Sequence, residues 1–319
     1  MPDKHKRVVA IGGGTGLANL LRVLKELTPE LTAVVAVTDD GGSSGKLRKE
    51  FGILPPGDVR NCLVALSDAE LAMDGLLSYR FPEEGTLSGH TVGNILLAAL
   101  QQAEGLDFAG AVARLSNLLA ITGRVLPATC DDVCLAAVLE DGSVMHGETA
   151  ICADSRRVKK LFLQPENCRL QPEVLAAVAA ADYVFIGPGS VYSSLITNLL
   201  VPGLAQALKQ SPAKVCYLAN MATEPAELDT AELSFVYDLL ESYAGEGRLI
   251  DVIIANNGAY PETALAALAA RKSRPIVCDT AKLEVAGVHI LQADFVDEVN
   301  FWQHDRVKLK TALAGLLGE

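Results

Sequence analysis

The stretch VVAIGGGTGLANLLRVL, Val8 to Leu24, constrains the fold more than any other. Val8 to Ile11 is a short apolar run that suits a buried parallel strand. Leu17, Leu20, Leu21 and Leu24, continued by Leu27, recur at helical spacing and form one apolar face. Between them lie Gly12, Gly13, Gly14, Thr15 and Gly16. A strand that enters a glycine turn and leaves as a helix aims backbone N–H groups and the positive helix end at one point, which suits a phosphate. The dinucleotide fingerprint also needs a small residue at its last position. Counted from Gly12 that position is Leu17, so the spacing predicts a phosphate loop without requiring NAD.

Apolar strand-like runs alternate with helix-like segments along the rest of the chain, which predicts an α/β parallel sheet. The expected strands are Val8–Ile11, Ala33–Val37, Tyr183–Ile186, Val215–Leu218, Val252–Ala255 and Pro275–Cys278. Two runs flank Asp141-Gly142, a strong hairpin signal, and Val158–Leu163 can add a third antiparallel strand. The alanine- and leucine-rich segment Asn94–Leu119 supplies two helices. The expectation is one domain over residues 1–319, a doubly wound, mainly parallel sheet, with a helical and β-hairpin insertion over residues 88–165. A net charge of −12 argues against binding nucleic acid or anionic membranes nonspecifically. No window approaches the roughly 20 apolar residues of a membrane span, and the opening residues do not form a secretory signal. The seven cysteines are scattered, and Cys130 and Cys134 have no second pair to complete a zinc site. Reduced thiols and a cytoplasmic location are expected.

Several stretches carry chemistry. In VTDDGGSSG, Asp39 or Asp40 can accept hydrogen bonds from a ribose diol, or the two can hold a Mg2+ that bridges a diphosphate. Gly41 and Gly42 allow close backbone approach, and Ser43 and Ser44 add hydroxyls. The same stretch also reads as a polar turn with an Asx cap. Asp58 in LPPGDVRN is either a helix cap or a crevice ligand beside Asn61, and Asn94 follows His90 at the start of an apolar helix. Tyr183 to Gly203 repeats the strand–glycine loop–helix design with Gly187, Gly189 and Ser190. Two such loops in different halves of a sheet fit a ligand with an anionic middle and two ends, such as a nucleotide diphosphate joined to another group. Asn220, Asn256 and Asn257 place amides at strand ends, suited to reading a base or sugar. Near the C-terminus, Asp305 reads as a helix cap and His304 can line the site.

Taken in order, IGGGTGL, TDDGGSSG, PPGDVRN, GHTVGN, IGPGSVYSSL, NNG and the late HD resemble the YvcK branch of the CofD-like superfamily almost end to end. The resemblance implies a Rossmann-like fold and two activities. One is 2-phospho-L-lactate transfer from a guanosine diphosphate-linked donor to a deazaflavin with Mg2+. The other is regulatory binding of UDP-sugars such as UDP-N-acetylglucosamine, linked to gluconeogenic growth, cell shape and cell-wall synthesis. By the resemblance, Asp40 and Asp58 fall where the transferases place metal-binding carboxylates. The loop Gly187–Ser190 takes the YvcK form, and Gln303 stands where many YvcK-like chains have arginine. The expected ligand is a nucleotide-sugar, with Mg2+ as the cofactor to test, no NAD, and a homodimeric assembly.

Overall fold

The computed structural model describes residues 6–318 apart from 226 and 229. Its strands are β1 (Val8–Gly12), β2 (Leu31–Val35), β3 (Arg124–Pro127), β4 (Cys134–Leu139), β5 (Val144–His146), β6 (Val158–Gln164), β7 (Tyr183–Ile186), β8 (Lys214–Leu218), β9 (Val252–Asn256) and β10 (His289–Ala293). Seven form one parallel sheet in the order β10-β9-β8-β7-β1-β2-β3. The chain builds outward from β1 through β2 to β3, then restarts beside β1 with β7 and builds the other way. The order therefore reverses between β1 and β7, and open α/β sheets place their ligand crevice outside the carboxyl ends of the strands at such a point. Both glycine loops, after β1 and after β7, emerge there.

Burial explains why these runs become central strands. Every residue of β1 and β2 is buried, the pattern of a sheet covered on both faces. The helix Gly14–Leu24 turns Leu17, Leu20, Leu21 and Leu24 into that core. The hairpin around Asp141-Gly142 forms as expected: β4 pairs antiparallel with β5 and with β6 in a separate three-stranded sheet. The two helices of the alanine-rich segment are Val92–Glu104 and Phe108–Leu118. Residues 88–165 are not one excursion, however. The chain returns to the main sheet as β3, a four-residue edge strand ending in proline, the place a sheet tolerates that residue.

The strand expected at Pro275–Cys278 is absent from the sheet. Its last position is filled instead by β10, and 275–278 becomes a strap across the end of β8. The Ile276 N–H donates to Met221 O, the Val277 N–H to Ala231 O, and Val277 O accepts from Leu233 N–H. The strap thereby braces the segment that follows β8. Among the described residues all seven cysteines are free thiols, and no single helix is long and apolar enough to cross a membrane.

Candidate functional site

The two glycine loops pack directly on each other at the switch point. A Cβ placed on Gly16 would lie 2.5 Å from Pro188 O, and one on Gly13 would lie 2.8 Å from Ser194 Oγ and 2.6 Å from Asp58 Oδ2. Asn198, fully buried, donates from Nδ2 to both Gly12 O (3.0 Å) and Ser194 O (2.6 Å), tying the loops together. Gly14 differs from its neighbours. It has φ +62° with open space where a side chain would project, so this glycine answers to backbone conformation. Asp58, expected as a helix cap or a ligand, is neither cap nor free. It sits in the first turn of the helix Gly57–Leu66 and accepts the Gly14 N–H.

Several expected ligand groups are engaged by the protein itself. Ser190 Oγ donates to Glu227 Oε1 (2.5 Å), which also accepts the Tyr192 N–H (2.6 Å). Burial, with Glu224 nearby, raises the Glu227 carboxyl to about 7. Asn220 holds Gly189 by accepting its N–H (2.9 Å) and donating to its carbonyl (2.8 Å). Asn256 accepts from Gly258 N and Phe295 N and donates to Gly258 O, which fixes the turn after β9. Its neighbour Asn257 is exposed. Ser43 bonds His90 Nδ1 (3.1 Å) and accepts from Asn94 Nδ2 (3.1 Å), which pins the helix Gly42–Phe51 to the helix Val92–Glu104. Asp305 caps its helix as expected, accepting from Val307 N and Lys308 N.

What remains open is a cavity of about 320 Å3 at the loop junction. Thr15 and Gly16 reach it from the first loop, Gly189 from the second, and Trp302, His304 and Arg271 from the far wall. The Arg271 guanidinium lies 4.8 Å from the Trp302 ring centroid, a cation–π contact. His304 is buried and its pKa falls to about 4, because desolvation outweighs the hydrogen bond to the Ala219 backbone. Its Nε2 is buried and has no hydrogen-bond partner among the described residues. A second cavity of about 310 Å3 adjoins the first and contains Asn61.

The carboxylates meet differently from the expectation. Asp40 Oδ1 accepts from Thr149 N (2.9 Å) and Thr149 Oγ1 (2.7 Å), at the start of the helix Glu148–Ala153. It thus faces the β4–β6 insertion. Asp39 is the residue whose charge acts on Asp58; Asp39 Oδ1 accepts the Gly41 N–H (2.9 Å), and Oδ2 would lie 3.2 Å from a Cβ on Gly57, whose N-terminal turn Ser44 also abuts. Burial, then Asp39, raise Asp58 to about 6 against the lowering effect of the Gly14 N–H. Glu148 completes the group. It accepts from Thr38 Oγ1 (3.0 Å), and burial with Asp39 and Asp58 nearby raises it to about 8. Among the described residues no three His, Cys, Asp or Glu side chains form a ready metal cage. Magnesium binds through one or two carboxylates plus phosphate oxygens; Asp39 and Asp58 are the carboxylates that would hold one, and neither lines the cavity at the loop junction. Glu148, Glu227, Arg271 and Trp302 carry no motif in the sequence; only the folded chain brings them to the switch point.

Comparison with known proteins agrees with this architecture. Residues 8–296 match the family model described as 2-phospho-L-lactate transferase CofD. The gluconeogenesis factor of Halalkalibacterium halodurans is 40% identical over 311 residues, covering 97% of this chain and 96% of that protein. The gluconeogenesis factor of Bacillus subtilis (strain 168) is 39% identical over 314 residues, covering 98% of each. A crystal structure of a UPF0052 family member from Bacillus halodurans superposes with a TM-score of 0.91 at 41% identity, covering 96% of this chain and 98% of that one. Matched by the family model over most of its length and by such relatives nearly end to end, the chain belongs to the CofD family, on its YvcK branch.

Proposed function

We propose that this chain is a regulatory nucleotide-sugar-binding protein, a gluconeogenesis factor that takes a UDP-sugar such as UDP-N-acetylglucosamine and acts on carbon metabolism, cell shape and cell-wall synthesis. The observation that carries the reading is the cavity at the β1/β7 switch point. There a helix start (Thr15, Gly16), a cation on an aromatic face (Arg271 on Trp302) and a buried acceptor in need of a donor (His304 Nε2) converge. These match a phosphate, a planar base and a base N–H or hydroxyl in turn. Relatives named gluconeogenesis factors support this reading.

Neither histidine of the site motifs is a strong candidate base, which supports binding over histidine-driven turnover. His304, at about 4, is a weak base at neutral pH, and His90 is engaged with Ser43. A second reading, metal-assisted transfer, draws on Asp39 and Asp58. Mg2+ held there would offset charge on a diphosphate. In thermal melts, UDP-N-acetylglucosamine is expected to stabilise the protein more than GDP or NAD does. Saturation at about 100 times Kd gives about 2.7 kcal/mol. Stabilisation by NAD alone would defeat the nucleotide-sugar reading. Incubation with the UDP-sugar and Mg2+ is expected to release no UMP. Multiple-turnover release that Asp58→Asn abolishes would replace the sensor with a transferase.

A further inference from the structure

The two adjoining cavities, about 320 Å3 and 310 Å3, each stand at the small end of the roughly 300–1,000 Å3 range of ligand pockets. Either one suits part of a nucleotide-linked ligand better than the whole. Thr15, Asn19 and Gln303 line both, so the start of the helix Gly14–Leu24 forms the wall between them. Beyond that shared wall the linings diverge. The first has the Trp302 indole with Arg271 upon it, the apolar Met221 and Ala222, and His304. With one ring nitrogen bonded to the Ala219 backbone and the ring neutral, Nε2 of His304 is an acceptor that a base N–H or a ribose hydroxyl satisfies.

Among the described residues the second cavity has no aromatic lining; Asn61, Asp74 and Ser78 line it together with two arginines, Arg22 and Arg306. Asn61 Oδ1 accepts from Arg60 (2.6 Å), which directs its amide NH2 outward as a donor. Asp74 Oδ1 accepts from Ser78 Oγ (2.9 Å), with its second oxygen available as an acceptor. Donor and acceptor side by side on a polar wall are what adjacent sugar hydroxyls require.

We propose that the Asn61–Asp74 cavity is a sugar subsite and the Trp302–His304 cavity the nucleoside subsite of one ligand, whose phosphates pass Thr15 beside Gln303. The assignment rests on the nucleotide-sugar reading and adds the direction in which the ligand lies. It also gives the second cavity its own ligand chemistry, a hydroxyl-rich group independent of the base.

Calorimetric titration of UDP and UDP-N-acetylglucosamine separates the two levels. Asp74 is exposed on the helix Glu70–Leu77, so Asp74→Ala leaves the core untouched. This variant, and Asn61→Ala beside it, are expected to weaken UDP-N-acetylglucosamine about fivefold, the scale of one lost hydrogen bond, while UDP changes less than about twofold. Trp302→Ala is expected to weaken both ligands by one common factor of about tenfold. If Asp74→Ala and Asn61→Ala weaken both ligands equally, or neither, the sugar subsite is wrong although nucleotide binding stands. If the wild-type protein binds neither ligand, the nucleotide-sugar reading fails and the subsite falls with it.

Discussion

Gly16→Val is expected to lower the unfolding free energy by about 3 kcal/mol or more, the scale of severe overpacking. The Cβ it introduces would lie 2.5 Å from Pro188 O, 2.9 Å from Pro188 C and 3.2 Å from Gly189 N, all backbone atoms. That backbone cannot swing aside, since Asn220 grips Gly189 on both sides of its peptide and Asn198 fastens the neighbouring helix to Gly12. Gly14→Ala is the control in the same loop. With φ +62° and no atom of the described residues within 4 Å of the added carbon, it meets backbone strain alone, about 1–2 kcal/mol. Urea denaturation of both variants orders them. A Gly16→Val protein as stable as the wild type would show that the loops do not touch.

Raising the pH from 6 to 8 is expected to destabilise the wild-type protein, and Glu148→Gln is expected to remove much of that loss. The folded carboxyl titrates at about 8 against a reference of 4.5, so the native state holds a proton that the unfolded chain has released. A carboxyl raised in this way contributes fully below pH 4.5 and loses its contribution as pH climbs to 8. The ceiling is about 1.4 kcal/mol per pH unit, which makes about 2–3 kcal/mol across this interval. Asp58, at about 6, contributes in the same direction but lower on the scale, and Glu227, at about 7, acts alike in both proteins. Glutamine keeps an acceptor for Thr38 Oγ1 without the charge. Denaturation midpoints at pH 6 and pH 8 measure the difference; equal slopes for both proteins would mean that Glu148 is ionised throughout.

The parts of the fold legible in the sequence were those with dense local signals. An apolar run ending in glycines, leucines at helical spacing, and Asp-Gly between two apolar runs gave β1, its helix and the β4–β5 hairpin their places. The edge strands β3 and β10 had weaker patterns: one is four residues long and ends in proline, and the other has no fully buried residue. Pro275–Cys278 had the composition of a strand but spends its hydrogen bonds on the loop after β8.

The site was legible as loops and only partly as chemistry. Position along the chain put Thr15, Gly16, Gly189, Asn220 and His304 around one cavity, as the structure does. Hydrogen-bond commitments are invisible to spacing, however. Asn220 and Asn256 look like amides free to read a ligand, yet each fastens a turn. Adjacent Asp39 and Asp40 look interchangeable until the backbone sends one toward Asp58 and the other to Thr149. Arg271 and Trp302 are separated by β10 in the chain and meet because the C-terminal segment crosses back over the switch point.

The central claim is that the β1/β7 junction binds the nucleotide, and a crystal structure of the protein soaked with UDP-N-acetylglucosamine and Mg2+ tests it most directly. The expected density places the base against Trp302 and within reach of His304 Nε2, with the phosphates at Thr15 and the sugar at Asn61. Density instead in the separate cleft of about 970 Å3 between the β6 edge and the helix Leu233–Ala244, lined by Arg156, Lys159, Tyr192 and Phe235, would contradict it.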